Sequence, residues 1–582
     1  MNTVRYGSKE YTYGLTDFAR IQKDNYYYVD KTQYIPLIER AAPYFFLIRP
    51  RRFGKSLLID VLTWYYDINR KDRFEEVFAG CRIVDNPTAE QGKYLILSFN
   101  FSDVNPMPDK VFESFEQHCG FRFMEFADSY GRFFEPGFRE ELMRQPSADA
   151  KFSYLVSRAT QLDLPIYLFI DEYDNFANAI LAREGHDRYH ALTHSEGFFR
   201  YFFNKIKAAA TGDRAIKRMF ITGVSPVTMD DVTSGFNIGA NMSADSRFNG
   251  LVGFSEEDLK TMLNYYDAQG MLSDGVEDII KVMKPWYDNY CFSKRSLNEP
   301  MYNSDMVLYF LNNYLPHQEA PDQMIDNNIR TDYNKLRHLI RIDKTFGVNA
   351  SIIQDVVANG SIRAEINSSF PAEAIVLPEN FKSLLYYFGL LSIQEVSMGR
   401  TILGIPNLTV REQLYTYLIE AYREAHIFNL DYHELEDLVW KMAYQGEWEP
   451  VFRYFASELE RQSRVREFIE GEAHVKGFLL AYLGMVGGYI IQPEYEAGKG
   501  YADFYMMPDL LHQPDIAYSY IVEVKYARRD ATDADIETLR REATGQLQRY
   551  AADPLVAQTK GDTRLGLITL VFKGWELVVC EM

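Results

Sequence analysis

Continuous apolar runs alternate with stretches of helical spacing over the first half of the chain. The runs are Tyr44 to Arg49, Tyr94 to Phe101, Ile166 to Asp171 and Arg218 to Val224; between them Ser56 to Tyr66, Asp109 to Phe126 and Gly197 to Ala210 repeat apolar residues at helical intervals. Short, mostly apolar runs suit strands buried on both faces, and intervening helices suit the crossovers of a parallel sheet. The pattern predicts an α/β domain over residues 1–260.

The pattern then changes twice. Residues 261–440 are mostly helical in spacing, broken by an apolar helix around Phe381 to Gly389, a hairpin pattern from Leu390 to Ile405 turning at Ser397-Met398-Gly399, and a helix from about Val410. Helix, hairpin and helix in this order read like a winged-helix unit, and with only Lys382, Arg400 and Arg411 nearby, packing is the preferred role over DNA binding. Over residues 441–582 the order becomes helix (Glu472 to Leu483), three strands (Tyr489 to Tyr495, Tyr501 to Met507, Tyr518 to Lys525), helix (Asp533 to Ala551) and strand (Leu565 to Phe572). This predicts a second, smaller α/β domain.

Composition narrows the classes. At 582 residues the chain exceeds what one core organises. The 42 Tyr and 40 Phe are spread along it and are read as packing. A formal net charge of −20 repels phosphate backbones on average, so nucleic-acid contact is expected only at local basic clusters or through metal ions. Cys81, Cys119, Cys291 and Cys580 are too far apart for a zinc knuckle and too few for a disulfide framework. The polar opening Met1-Asn2-Thr3-Val4-Arg5 and the lack of a membrane-length apolar stretch lead to the expectation of a soluble, cytoplasmic protein with no membrane partner.

The first chemical motif follows the first strand. Arg49-Pro50-Arg51-Arg52-Phe53-Gly54-Lys55-Ser56 joins an apolar strand to an apolar helix. Such a turn can surround a polyphosphate with backbone N–H groups and a lysine, while the serine hydroxyl reaches Mg²⁺. Arg49 stands where a P-loop has its first glycine, so a guanidinium is a candidate supplier of charge. The plainer alternative is an ordinary strand-to-helix turn with a solvated basic patch. Ile166 to Asp171, about 115 residues later, is an apolar strand ending in Asp171-Glu172. Asp171 is assigned to hold the Mg²⁺ of ATP and Glu172 to polarise the attacking water. Thr222 and Ser225, at the end of a further strand, are candidate sensors of the γ-phosphate, weighed against hydroxyls that satisfy the backbone; Arg247 is a candidate arginine finger, weighed against a surface ion pair.

These motifs, with Asn25-Tyr26-Tyr27-Tyr28-Val29-Asp30-Lys31-Thr32 and Asp171-Glu172-Tyr173-Asp174, resemble the bacterial AAA-ATPase-like family that carries a C-terminal PD-(D/E)XK nuclease-superfamily domain. Trp286 to Phe292, Tyr302-Asn303 and Ile405-Pro406-Asn407 are similar to its middle region, with Asn289 and Ser304 where Gly and Pro are expected. The resemblance implies ATP binding despite Arg49.

The C-terminal motif fits that resemblance. Gly498-Lys499-Gly500-Tyr501-Ala502-Asp503 enters one strand and Ile521-Val522-Glu523-Val524-Lys525 ends a nearby one. Alternation puts Glu523 and Lys525 on one strand face, projecting toward Asp503. Two carboxylates can hold Mg²⁺, with Mn²⁺ as an alternative, and the lysine can orient the nucleophile. A lone Glu-x-Lys is by default a solvated strand face; the set resembles the restriction-endonuclease-like Asp…Glu-x-Lys core. Gln546 and Tyr550 on the next helix are similar to the Gln-x-x-x-Tyr pair of its relatives. Glu472 is an additional metal-side acid, with Glu494 as its rival. The expectation is an ATPase coupled to a metal-dependent nuclease-like domain acting on DNA or RNA. The competing expectation is a nucleotide-switched interaction protein; self-association into a homo-oligomer is left open.

Overall fold

The computed structural model describes residues 9–184, 186–193, 197–227, 239–326, 348–462, 469, 471–497 and 500–582. Gly498 and Lys499 of the expected strand entry, and residues 327–347 of the helical middle region, lie outside the described residues. The described residues gather into two compact units, one within 1–342 and 364–407, the other within 343–363 and 408–582.

In the first unit, β1 (Tyr44–Ile48), β2 (Leu95–Asn100), β3 (Ile166–Asp171), β4 (Ile216–Gly223) and β5 (Ala240–Asn241) form a parallel sheet in the order β2-β3-β4-β1-β5. Every residue of β3 is buried, as its unbroken apolar run requires. The abundant aromatics are this core: Phe45 stacks on Phe220 across β1 and β4, while Phe202 packs edge-on against both Phe99 and Phe115. The register sets Ile48 beside Gly223 and Asn100 beside Asp171, so the strands end together at one rim. Ligands of open parallel sheets gather at that rim.

The helices Glu256–Ala268, Val276–Tyr287 and Ser304–His317 build a separate apolar cluster in the same unit, with Leu259, Tyr266, Met283, Tyr287 and Phe310 at its centre. Two departures from the family resemblance have physical explanations. Asn289 sits at φ +72°, a left-handed conformation that Gly favours and Asn tolerates. Ser304 is the first residue of its helix, the position where Pro is well accommodated, behind the Asn303 side-chain cap. The expected helix and hairpin follow as Pro378–Tyr387, β7 (Ser392–Ser397) and β8 (Arg400–Gly404); the short strand β6 (Ser361–Ala364), earlier in the chain, falls mostly in the residues of the second unit. Met398 and Gly399 both have positive φ, as a two-residue hairpin turn requires.

The second unit contains the helix Leu408–Glu424 and a mixed sheet of β9 (Tyr489–Ala497), β10 (Gly500–Pro508), β11 (Tyr518–Ala527), β12 (Arg564–Lys573) and β13 (Glu576–Glu581), ordered β13-β12-β11-β10-β9. β9, β10 and β11 are antiparallel neighbours; the helix Asp533–Ala551 then crosses over to bring β12 parallel to β11. That helix packs Leu547 and Tyr550 on Tyr505 and Ile521. The helix Glu472–Leu483 is buried along almost its whole length.

Gly253 tests how tightly the first unit closes around the loop after β1. Its φ is +79°, and an added Cβ would lie 2.9 Å from the Phe53 ring and 3.0 Å from Tyr302 O. Gly253→Ala is expected to cost about 2–4 kcal/mol, combining backbone strain with overpacking. Gly270→Ala, at φ +68° with nothing within 4 Å, should cost only the strain, about 1 kcal/mol. Denaturant unfolding of both variants measures the difference.

Candidate functional site

The loop after β1 faces a cavity of about 510 Å³. Gly54 caps the helix Lys55–Tyr66 at φ +88°, and Arg52 is also left-handed at φ +64°, so the loop turns twice within three residues. Lys55 is buried, and its Nζ donates to Arg49 O (3.1 Å) and Pro50 O (2.8 Å). Burial lowers its pKa, opposed by the charges of Glu172 and Asp171. Ser56 Oγ donates to Asp171 Oδ2 at 2.6 Å, joining residues 115 apart. Burial raises the Asp171 pKa against the Ser56 hydrogen bond and the Lys55 charge. Glu172 lines the cavity from a left-handed backbone at φ +47°, its N–H donating to Asp171 Oδ1 at 2.9 Å. Such strain in a non-glycine residue is characteristic of functional positions. The hydroxyl and carboxylate pair offers hard oxygen donors suited to Mg²⁺, which fits the assigned roles.

Other expected nucleotide residues divide. Arg51 and Arg52 line the cavity, Arg51 reaching Asn175 Oδ1 at 3.2 Å and Arg52 pairing with Asp305 at 2.8 Å. Phe53 is buried edge-on against Tyr290 (4.9 Å) and Phe292 (5.3 Å), so the middle-region motif serves as the wall behind the loop.

Arg49 does not supply charge to the cavity. Its buried guanidinium donates to Ile48 O, Ser243 O and Phe248 O at 3.0, 2.6 and 3.0 Å and lies over the Phe292 ring. Thr222 is likewise turned inward, Oγ1 donating to Leu47 O at 2.8 Å, and buried Ser225 accepts from Val227 N. Their hydroxyls satisfy backbone rather than a phosphate. Arg247 lines a different cavity of about 620 Å³ and pairs with Asp245 at 2.6 Å, a surface ion pair within this chain. Asp174, quoted only as part of a motif, accepts from Val224 N and Ser225 N and ties the end of β4 to the Asp171 turn.

In the C-terminal unit the Phe504↔Val522 register, continued by one residue, sets Asp503 across from Glu523. Glu523 Oε2 accepts from Asp503 N (3.3 Å), and Oε1 pairs with Lys525 Nζ (2.6 Å); Asp503 Oδ2 accepts from Val524 N (2.6 Å). The expected trio is therefore brought together. Sequence reasoning missed Lys476, whose buried Nζ lies 2.8 Å from Asp503 Oδ1 and 2.5 Å from Glu494 Oε1. A signal existed: a single lysine one turn after Glu472, in a helix that is otherwise apolar from Val475 to Leu483. Burial, followed by the Asp503 charge, raises the Glu472 pKa, which places this carboxyl within electrostatic reach of the acid pair. Gln546 Oε1 is buried with no hydrogen-bond partner among the described residues, whereas the charges of Glu523, Lys525 and Asp503 all reach Tyr550. Asp503 and Glu523 by themselves are a suitable pair of hard donors for Mg²⁺ or Mn²⁺.

Burial, followed by the neighbouring Asp503 charge, raises Glu523 from 4.5 to about 7, with Lys525 opposing. Between these values the folded state holds a proton that the unfolded state has released. This group's contribution to stability is full below pH 4.5 and lost as pH rises through about 7. Glu523→Gln should flatten the stability profile across that window, measured by denaturant unfolding from pH 4 to 8. For Arg49→Met, three backbone carbonyls lose their donors, and a loss of about 2–4 kcal/mol is expected. Nucleotide affinity of the variant below its melting temperature should stay within about threefold of wild type if Arg49 acts only through packing.

Residues 12–233 match a family model described as "Predicted AAA-ATPase", and residues 470–582 match one described as "PD-(D/E)XK nuclease superfamily". A protein of Azotobacter chroococcum mcd 1, described as an uncharacterized protein in the vnfD 5' region, is 29% identical over 311 residues. The match covers 52% of each chain, so this chain spans about half the length of that relative. No helix among the described residues is long and apolar enough to cross a membrane. The chain thus joins an AAA-ATPase-like domain to a C-terminal domain of the PD-(D/E)XK nuclease superfamily.

Proposed function

We propose that the chain binds and hydrolyses Mg·ATP and couples this to a divalent-metal-dependent nuclease-like domain that acts on DNA, or with less support RNA. The observation that carries the ATPase half is the 2.6 Å contact from Ser56 Oγ to Asp171 Oδ2 at the rim of the loop cavity. Ser56 and Asp171 would hold the magnesium, and backbone N–H groups from Arg52 to Ser56 would face the phosphates. Bound Mg²⁺ supplies charge neutralisation at the transferring phosphoryl group. Lys55 would exchange its two loop carbonyls for phosphate oxygens. Glu172 would accept a proton from the attacking water.

In the C-terminal domain Asp503 and Glu523 would hold the cation, and Lys525 would orient the nucleophile. A bound divalent ion supplies Lewis-acid stabilisation of a phosphodiester. The second reading, a nucleotide-switched protein whose nuclease-like fold binds a partner without cutting, is favoured by one observation. All four oxygens of Asp503 and Glu523 are engaged by lysines or backbone N–H groups of the domain itself.

Two sets of variants test these roles. Lys55→Ala should abolish the melting shift given by Mg·ATP, which at a hundred times the dissociation constant is about 2.7 kcal/mol. Glu172→Gln should keep ATP affinity while turnover falls about 10²-fold; wild-type turnover would remove Glu172 from the reaction. Cleavage of single- and double-stranded DNA and RNA, with and without ATP, should disappear in Asp503→Ala and Lys525→Ala while ATP turnover persists. If wild type cuts none of these substrates, the non-cleaving reading stands; cleavage persisting in Asp503→Ala places the site elsewhere.

A further inference from the structure

Three adjacent strands bring a carboxylate to one level of the C-terminal sheet: Glu494 on β9, Asp503 on β10 and Glu523 on β11. Glu494 is the irregular member. The β9–β10 ladder pairs Tyr495 with Ala502 and Pro493 with Phe504, but the Glu494 and Asp503 pair between them is missing. Glu494 there has φ +46°, a conformation that a non-glycine residue adopts at a cost. From this kink its carboxylate meets the Lys476 ammonium, which also holds Asp503. The Lys476 side chain is 4% exposed and that of Glu494 is 32% exposed, so Glu494 marks the wetter end of the pair of contacts.

An ammonium and a divalent ion compete for the same carboxylate lone pairs, and a like charge in a poorly solvated site disfavours the second cation. Lys525 occupies Glu523 Oε1 in the same way, from two residues along its own strand. Lys476 occupies Asp503 Oδ1 and differs in having a second carboxylate partner, Glu494, outside the Asp503 and Glu523 pair. We propose that Lys476 is a built-in cation that competes with the divalent ion for Asp503, and that Glu494 is the carboxylate that retains Lys476 when it releases Asp503. This inference rests on Asp503 and Glu523 being the metal site. It adds a regulatory pair to that site: without metal, two lysines hold the three carboxylates, and loading requires one of these lysines to move from a shared to a single partner.

The test uses Mn²⁺ alone with the full-length, nucleotide-free chain, read by calorimetry and by the melting shift on adding metal. The binding component lost in Asp503→Ala defines the C-terminal site and separates it from Ser56 and Asp171. Lys476→Met should bind Mn²⁺ at that site at least about tenfold tighter, the effect of removing one like charge near a partly buried ligand. Its metal-free melting temperature should fall and recover on Mn²⁺ addition by more than that of wild type. Lys476→Arg, which keeps the charge, should bind no tighter than wild type, and serves as the reference if Lys476→Met folds poorly. Glu494→Gln should weaken binding in the wild-type chain and have less than about a twofold effect when Lys476 is already Met. Unchanged or weaker binding in Lys476→Met overturns the competition. An equal loss from Glu494→Gln in both backgrounds makes Glu494 a direct ligand and overturns its assigned role. Absence of any Asp503-dependent component in all of these chains overturns the metal-site reading itself, and the inference with it.

Discussion

The hydrogen bond from Ser56 Oγ to Asp171 Oδ2 depends on the placement of whole strands. Ser56 follows β1 and Asp171 ends β3, with β4 lying between them and pairing with both. Parallel strands that end at one rim bring a helix N-terminus and a strand-end carboxylate to the same place without any local sequence linking them. The details nearby maintain that rim. Thr222 bonds the β1 carbonyl of Leu47, and Asp174 gathers the N–H groups that follow β4. An added Cβ at Gly223 would lie 2.4 Å from Asp174 Oδ1, so the glycine is required by proximity rather than by its φ.

Burying a cation without partners is far costlier than burying it with them, and this governs the back of the loop. Arg49 is buried, yet its guanidinium finds three carbonyls and an aromatic face. Burial still draws its pKa down to about 10, well above physiological pH, so it remains charged. The residue that replaces a glycine of the general P-loop thus acts as an internal brace. Phe53 and Arg52 extend the brace, one into the Tyr290 and Phe292 pocket and the other to Asp305 at the start of the helix Ser304–His317. The middle-region motifs therefore set the loop's shape and do not contact the cavity as reacting groups.

The same constraint takes another form in the C-terminal unit. Asp503 and Glu523 are nearly inaccessible, and each is balanced by a lysine, Lys476 from a helix and Lys525 from the strand. The sheet register places the acids opposite each other, and the cost of two neighbouring buried carboxylates appears as the upward pKa shift of Glu523. A site arranged in this way can be stable without metal and still present the donors that a divalent ion selects.

The sequence by itself determined the elements and their order. Continuous apolar runs bounded by charged residues located β3 from Ile166 to Asp171, and helical spacing located Glu472–Leu483 and Asp533–Ala551. It also determined the chemical types at the strand ends, since Gly54-Lys55-Ser56, Asp171-Glu172 and Glu523-x-Lys525 are local patterns whose geometry follows from strand and helix periods. Tertiary structure decided which polar side chains face a cavity and which face the protein. Arg49, Thr222 and Arg247 carry suitable groups in suitable segments, but a side chain's direction depends on neighbours distant in sequence: Ser243 and Phe292 for Arg49, the β1 carbonyl for Thr222. It also recruited Lys476, whose partners lie 18 and 27 residues away on two strands. Periodicity fixes the face of an element on which a residue sits; only the packing of elements fixes what that face meets, because a buried charge is stable only where another part of the chain supplies its partner.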